Sequence, residues 1–152
     1  MPDLVRLDGS PLPAAALAGH TLLIVNVASR CGLTPQYQAL QALHAAHRDQ
    51  GLIVIGVPCN QFAGQEPGDA QQIATFCSAT YGVDFPLLEK QDVNGTGRSP
   101  LYRWLVDSEA GGGVDIEWNF GKFVVDPQGR VVARFAPTVA PDAPSVLAAL
   151  GR

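Results

Sequence analysis

The sequence predicts an α/β fold in which a central mixed sheet is flanked by helices. Two nearly continuous apolar runs, residues 21–28 (TLLIVNVA) and 52–57 (LIVIGV), have the composition of strands buried on both faces. Each is followed by a segment carrying helix start and stop signals, which makes strand–helix–strand units and hence parallel neighbours. Near the C-terminal end, residues 116–125 and 130–135 flank Asp126-Pro127-Gln128-Gly129, the pattern of an antiparallel hairpin.

The elements follow in order. Within residues 4–17, Asp8-Gly9-Ser10-Pro11 is a turn between two short extended pieces, an N-terminal β-hairpin. After the first buried strand, Thr34 is placed to N-cap a helix, Pro35 suits its first turn and Gly51 ends it. Tyr37, Leu40, Leu43 and His47 recur at helical spacing as its inner face. Residues 58–68 form a polar, glycine-containing loop after the second strand. Asp69 then caps a helix to about Tyr81, with Gln72 completing a capping box and Gly82 as the stop. Ser99-Pro100 opens a third helix through about Asp107, and residues 141–150 suggest a short final one. Hairpin, β, α, β, α, α, β, β, α is the thioredoxin-like arrangement, expected as one domain over residues 1–152.

Composition narrows the function. With 47% apolar and 16% charged residues the chain reads as globular. A net charge of −4 gives nothing to draw it to nucleic acid or an anionic membrane. No apolar run approaches the ~20 residues of a spanning helix. The first twenty residues hold two Asp and three Pro with no apolar stretch of signal type, so a cytoplasmic location is expected. Three cysteines are a poor disulfide framework and fit a reducing compartment. No metal or cofactor is expected. His44 and His47, at i and i+3, lack further ligand candidates nearby, and neither glycine-rich loop ends in a P-loop sequence.

Cys31 lies between the first buried strand and the first helix, close to a helix N-terminus where free N–H groups and the dipole favour an anion. Arg30 adds a neighbouring cation. Both effects favour thiolate, the nucleophilic form. Position 34 is Thr rather than Cys, so a CxxC disulfide reductase is not indicated. The resolving thiol has to come from elsewhere in the chain or from another molecule.

Three stretches carry a specific resemblance. Asn26-Val27-Ala28-Ser29-Arg30-Cys31-Gly32, residues 58–68 (PCNQFAGQEPG) and Trp118-Asn119-Phe120-Gly121-Lys122-Phe123 resemble, in order and spacing, the three signature motifs of glutathione peroxidases. The resemblance covers nearly the whole chain. It implies a catalytic set of Cys31, Gln65, Trp118 and Asn119. None of the last three titrates and all can donate N–H hydrogen bonds, to a thiolate or to the charge growing on a leaving oxygen. It also implies that Cys77 is the resolving cysteine, because a Cys at that position marks members that form an internal disulfide reduced by thioredoxin. Cys59 is read as structural. One departure is Ala63, where the family commonly has Gly; the methyl group is harmless unless the backbone there takes positive φ.

On this reading the chain is a thiol peroxidase for hydrogen peroxide and organic or lipid hydroperoxides, with thioredoxin as reductant. Glutathione-dependent turnover and a peroxide-sensing relay are the alternatives. A disulfide needs Cα atoms within about 7 Å, so the helix of residues 69–81 is expected to open after Cys31 is oxidised. The short glycine-rich stretch 108–115 lacks the insertion of tetrameric relatives, which points to a monomer or weak dimer with an open site.

Overall fold

The computed structural model describes residues 1–152. It contains β1 (Leu4–Val5), β2 (Pro11–Leu12), α1 (Ala14–Leu17), β3 (Thr21–Val27), α2 (Gln36–His47), β4 (Leu52–Pro58), α3 (Ala70–Tyr81), α4 (Pro100–Asp107), β5 (Lys122–Val125), β6 (Val131–Phe135) and α5 (Pro144–Ala149). The main sheet has the order β4-β3-β5-β6, with β3 parallel to β4 and antiparallel to β5, and β5 antiparallel to β6. This is the expected mixed sheet flanked by helices.

Each element follows from its residues. β3 is buried along its whole length, as its β-branched and Leu composition requires of a central strand. Successive side chains alternate between two cores. Leu22 and Ile24 join α4 and the N-terminal hairpin on one side; Leu23, Val25 and Val27 join α2, α3 and α5 on the other. Gly56 of β4 has a packing reason: a Cβ there would meet Leu87 Cδ2 at 2.7 Å. The segment around Leu87 lies along this outer edge, where Gly56 N–H donates to Pro86 O and Leu88 N–H donates to Gly56 O. The small β1–β2 hairpin attaches in turn, Leu7 N–H donating to Leu87 O. Its turn is closed by Asp8, whose Oδ1 accepts Ser10 N–H (2.9 Å) and Oγ–H (2.6 Å).

Both capped helices match expectation. In α3 Asp69 accepts Gln72 N–H, Gln72 accepts Asp69 N–H, and Gly82 closes the helix at φ +60°. In α4 Ser99 is the N-cap and Pro100 the first residue.

Four local expectations are corrected. Thr34 does not cap α2; Pro35 occupies that position and Thr34 closes the turn before it. The buried face of α2 ends in His44 rather than His47, and His44 Nδ1 accepts Val54 N–H at 3.2 Å. Residues 116–121 are not strand: β5 starts only at Lys122, and the preceding residues form the loop that enters the site. Residues 14–17 form one helical turn rather than an extended piece.

Candidate active site

Cys31 sits in the turn between β3 and α2, 9% exposed. Thr34 holds this turn from within: its Oγ1 accepts Cys31 N–H at 2.9 Å and donates to Ala28 O at 2.8 Å. Leu33 N–H donates to Cys31 Sγ at 3.3 Å. A backbone donor therefore points at the sulfur, as the strand-to-helix position predicts. Arg30 is exposed beside it.

The loop after β4 is stitched to the Cys31 turn at two adjacent residues. Arg30 N–H donates to Gln65 O at 3.0 Å. Ser29 N–H and Oγ–H both donate to Glu66 Oε1, at 3.1 and 2.5 Å. The loop that enters before β5 is then bonded to both. Asn119 Nδ2 donates to Gln65 Oε1 at 2.9 Å. Asn26, inside β3, donates from Nδ2 to Trp118 O (3.0 Å) and accepts Phe120 N–H through its carbonyl (2.6 Å). Phe120 takes φ +69°, a left-handed conformation that a bulky residue holds only when its surroundings compel it. The buried Lys122 adds to that constraint, its Nζ donating to Phe120 O (2.7 Å) and Pro137 O (3.1 Å). With no anion beside it, desolvation holds this ammonium down to about 8.

Three separate segments are thereby brought to one place, with Gln65 and Asn119 in direct contact. Trp118 is half-buried, its ring 5.6 Å from that of Phe62, and it packs against the same core half that contains Cys31. In this resting geometry the amide of Asn119 is engaged with Gln65, and the donor on the sulfur is Leu33 N–H. Asn119 itself is fully buried, and its Oδ1 has no partner.

Cys77 lies in α3, 1% exposed, and burial pushes its thiol up to about 11. The Tyr37 hydroxyl beside it pulls weakly the other way. All three cysteines are free thiols. Apart from Cys77, Ile73 is the one buried residue of α3; Ala70 and Ala74 are exposed. Cys59 is buried in the other core half, beneath α4, and desolvation raises its thiol as well.

Sequence reasoning missed the roles of Thr34, Asn26 and Glu66. An Asn inside an otherwise apolar strand was a usable signal, since a buried amide needs partners. Glu66 offered none, because a glutamate in a polar loop reads as solvated. No cluster of three or more His, Cys, Asp or Glu is present that would hold a metal. No helix is long and apolar enough to cross a membrane.

Comparison with known proteins agrees with this geometry. The family model for glutathione peroxidase matches residues 3–106. The hydroperoxy fatty acid reductase Gpx2 of Synechocystis sp. is 55% identical over 148 residues, covering 97% of this chain and 94% of that protein. The thioredoxin/glutathione peroxidase BtuE of Escherichia coli is 43% identical over 162 residues, covering 93% of this chain and 88% of the relative. The crystal structure of T. cruzi GPX1 superposes with a TM-score of 0.74 at 35% identity, covering 98% and 94% of the two chains. A family model matched over most of the chain, relatives this similar over nearly their whole lengths, and three motifs assembled around one cysteine place this chain in the glutathione peroxidase family.

Proposed function

We propose that this protein is a thiol peroxidase in which Cys31 reduces hydroperoxides, Cys77 resolves the product, and thioredoxin returns the enzyme to its dithiol state. The observation that carries this reading is the convergence of Cys31, Gln65, Trp118 and Asn119 from three segments, joined by the Arg30–Gln65, Asn119–Gln65 and Asn26–Trp118 hydrogen bonds. The Cys31 thiolate attacks one peroxide oxygen; an S–O bond forms, the O–O bond breaks, and the alkoxide or hydroxide leaves as it is protonated. Amide and indole N–H groups are suited to the negative charge that develops on the leaving oxygen. The product is a sulfenic acid on Cys31.

Cys77 then displaces hydroxide from that sulfur to form a disulfide, which thioredoxin reduces by thiol–disulfide exchange. Opening of α3 brings the two cysteines together. Its weak anchoring supports this: of twelve residues only Ile73 and Cys77 are buried, the signature of a segment with low local stability. The substrate class is hydrogen peroxide and organic or lipid hydroperoxides, the last suggested by the Synechocystis relative named for hydroperoxy fatty acids. Thioredoxin is favoured over glutathione because Cys77 supplies the internal partner that a glutathione cycle does not need; the E. coli relative is named for both reductants. A monomer or weak dimer in the cytoplasm completes the reading.

The test is NADPH consumption with thioredoxin, thioredoxin reductase and a hydroperoxide. Wild type turns over, while Cys31→Ser and Cys77→Ser do not. Full activity in Cys77→Ser removes Cys77 from the cycle and leaves resolution to an external thiol.

A further inference from the structure

The resolving step leaves one proton unassigned, and one carboxylate is fully buried where that proton has to go. Glu66 is 1% exposed. Its Oε1 accepts both donors of Ser29, while its Oε2 is buried with no partner. With Ser29 and Arg30, Glu66 lines a cleft of about 210 Å³ whose far wall is Gln72, Ile73 and Phe76 of α3. Cys77 follows Phe76 directly and lies one turn beyond Ile73, on the same buried face. The carboxylate therefore stands between the Cys31 turn and the helix that carries the resolving thiol.

The remaining groups there are poor bases. Tyr37 is driven well above the ordinary tyrosine range, chiefly by burial, so its hydroxyl stays neutral. Arg30 and Lys90 are cations that favour ionised Glu66 without accepting a proton themselves. Burial acts against them and raises Glu66, and the Ser29 hydrogen bonds lower it. Opening of α3 removes the burial that raises Cys77, yet an exposed thiol is still ionised at neutral pH in only about 3% of molecules. Thiolate is the attacking species in thiol–disulfide chemistry, so a base held on the Cys31 turn by Ser29, where the incoming Cys77 arrives, raises the rate by up to about 30-fold.

We propose that Glu66 is the proton acceptor for Cys77 in disulfide formation. The assignment rests on Cys77 being the resolving cysteine. As the S–S bond forms and the Cys31 S–O bond breaks, the Cys77 proton passes to Glu66 Oε2 and from there to the departing hydroxide. Two thiol-derived side chains, one S–OH and one S–H, yield one disulfide and one water, and Glu66 ends ionised as it began.

Glu66→Gln tests this, because the amide oxygen can still accept from Ser29 while the base is gone. Rapid-quench alkylation after a peroxide pulse separates Cys31 oxidation from Cys31–Cys77 bond formation. The expected result is that disulfide formation slows about tenfold more than Cys31 oxidation, and that its rate climbs about tenfold per pH unit between pH 6 and 8 as thiolate appears unaided. Glu66→Asp restores the flatter wild-type profile. A wild-type profile in Glu66→Gln overturns the proposal, as does equal slowing of both steps without a change in pH dependence, which marks Glu66 as scaffold only. If Glu66→Gln does not fold, the wild-type profile decides: a plateau between about pH 6 and 8 above a carboxylate inflection supports the assignment, and a rate climbing about tenfold per unit from pH 6 to 8 overturns it. Peptide mapping of oxidised wild type separates the two ideas. Absence of a Cys31–Cys77 bond removes the resolving step and this role together, whereas its presence with an indifferent Glu66→Gln removes only the role of Glu66.

Discussion

Removing the side-chain cap of α3 accelerates disulfide formation. Asp69 is exposed and touches neither cysteine, but its Oδ1 accepts Gln72 N–H at 2.8 Å at the helix start. In Asp69→Ala that bond is lost, while the reciprocal bond from the residue 69 N–H to Gln72 Oε1 survives because its donor is backbone. Loss of a side-chain N-cap costs about 1 kcal/mol of helix stability. The opened helix has no use for the cap, so the whole cost falls on the closed state. With tenfold per 1.36 kcal/mol, the open population and the rate of Cys31–Cys77 bonding rise about fivefold. Rapid-quench alkylation reads the bonding rate, and amide exchange across residues 70–81 reads the opening directly. If exchange quickens fivefold while bonding keeps its wild-type rate, opening of α3 does not govern the resolving step, and the mobile-helix account is wrong.

Three further outcomes follow from other features. Ala63 takes φ +56° in an exposed loop, so Ala63→Gly stabilises the fold by roughly 1 kcal/mol, read as a higher urea midpoint at unchanged m-value. Asn119→Ala frees Gln65 from its one side-chain partner and removes a donor from the site; kcat/KM for peroxide falls roughly 10²-fold while the fold, by circular dichroism, is kept. Lys122 is lowered from 10.5 to about 8 by desolvation. Between those pH values the unfolded chain holds a proton the folded chain has released, so this group's contribution to stability rises with pH across that window. Wild type therefore gains roughly 2–3 kcal/mol relative to Lys122→Met between pH 8 and 10.5, and an unchanged gap between the two denaturation midpoints contradicts the buried-ammonium account.

Strands β3 and β4, the α3 capping box and both hairpin turns were legible because each is specified by residues a few positions apart. Burial on both faces selects Val, Ile and Leu, and a tight turn selects Asp and Gly, whatever the rest of the chain does. Where sequence reasoning fell short, distant groups compete for the local preference. Thr34 reads as a helix cap, yet Cys31 N–H and Ala28 O claim its hydroxyl. Residues 116–121 read as strand, yet Asn26 draws Trp118 and Phe120 out of the ladder into a left-handed turn. The candidate site residues were named from motif resemblance, and the atoms that hold their segments together were not foreseen. The stitch between Ser29–Arg30 and Gln65–Glu66 joins segments some thirty-five positions apart, and no local pattern announces it.

The two-sided core has a further consequence for the third thiol. Cys31 and Cys77 occupy one face of the sheet and Cys59 the other, so four strands of hydrogen-bonded backbone insulate Cys59 from the proposed redox pair. Opening of α3 exposes only the face it covers and leaves the layer under α4 closed. On the proposed cycle, electrons pass between Cys31 and Cys77 while Cys59 stays reduced throughout. Cys59 is a built-in reference thiol: its alkylation, seen only on denaturation, counts the protein molecules against which oxidation of the other two is measured.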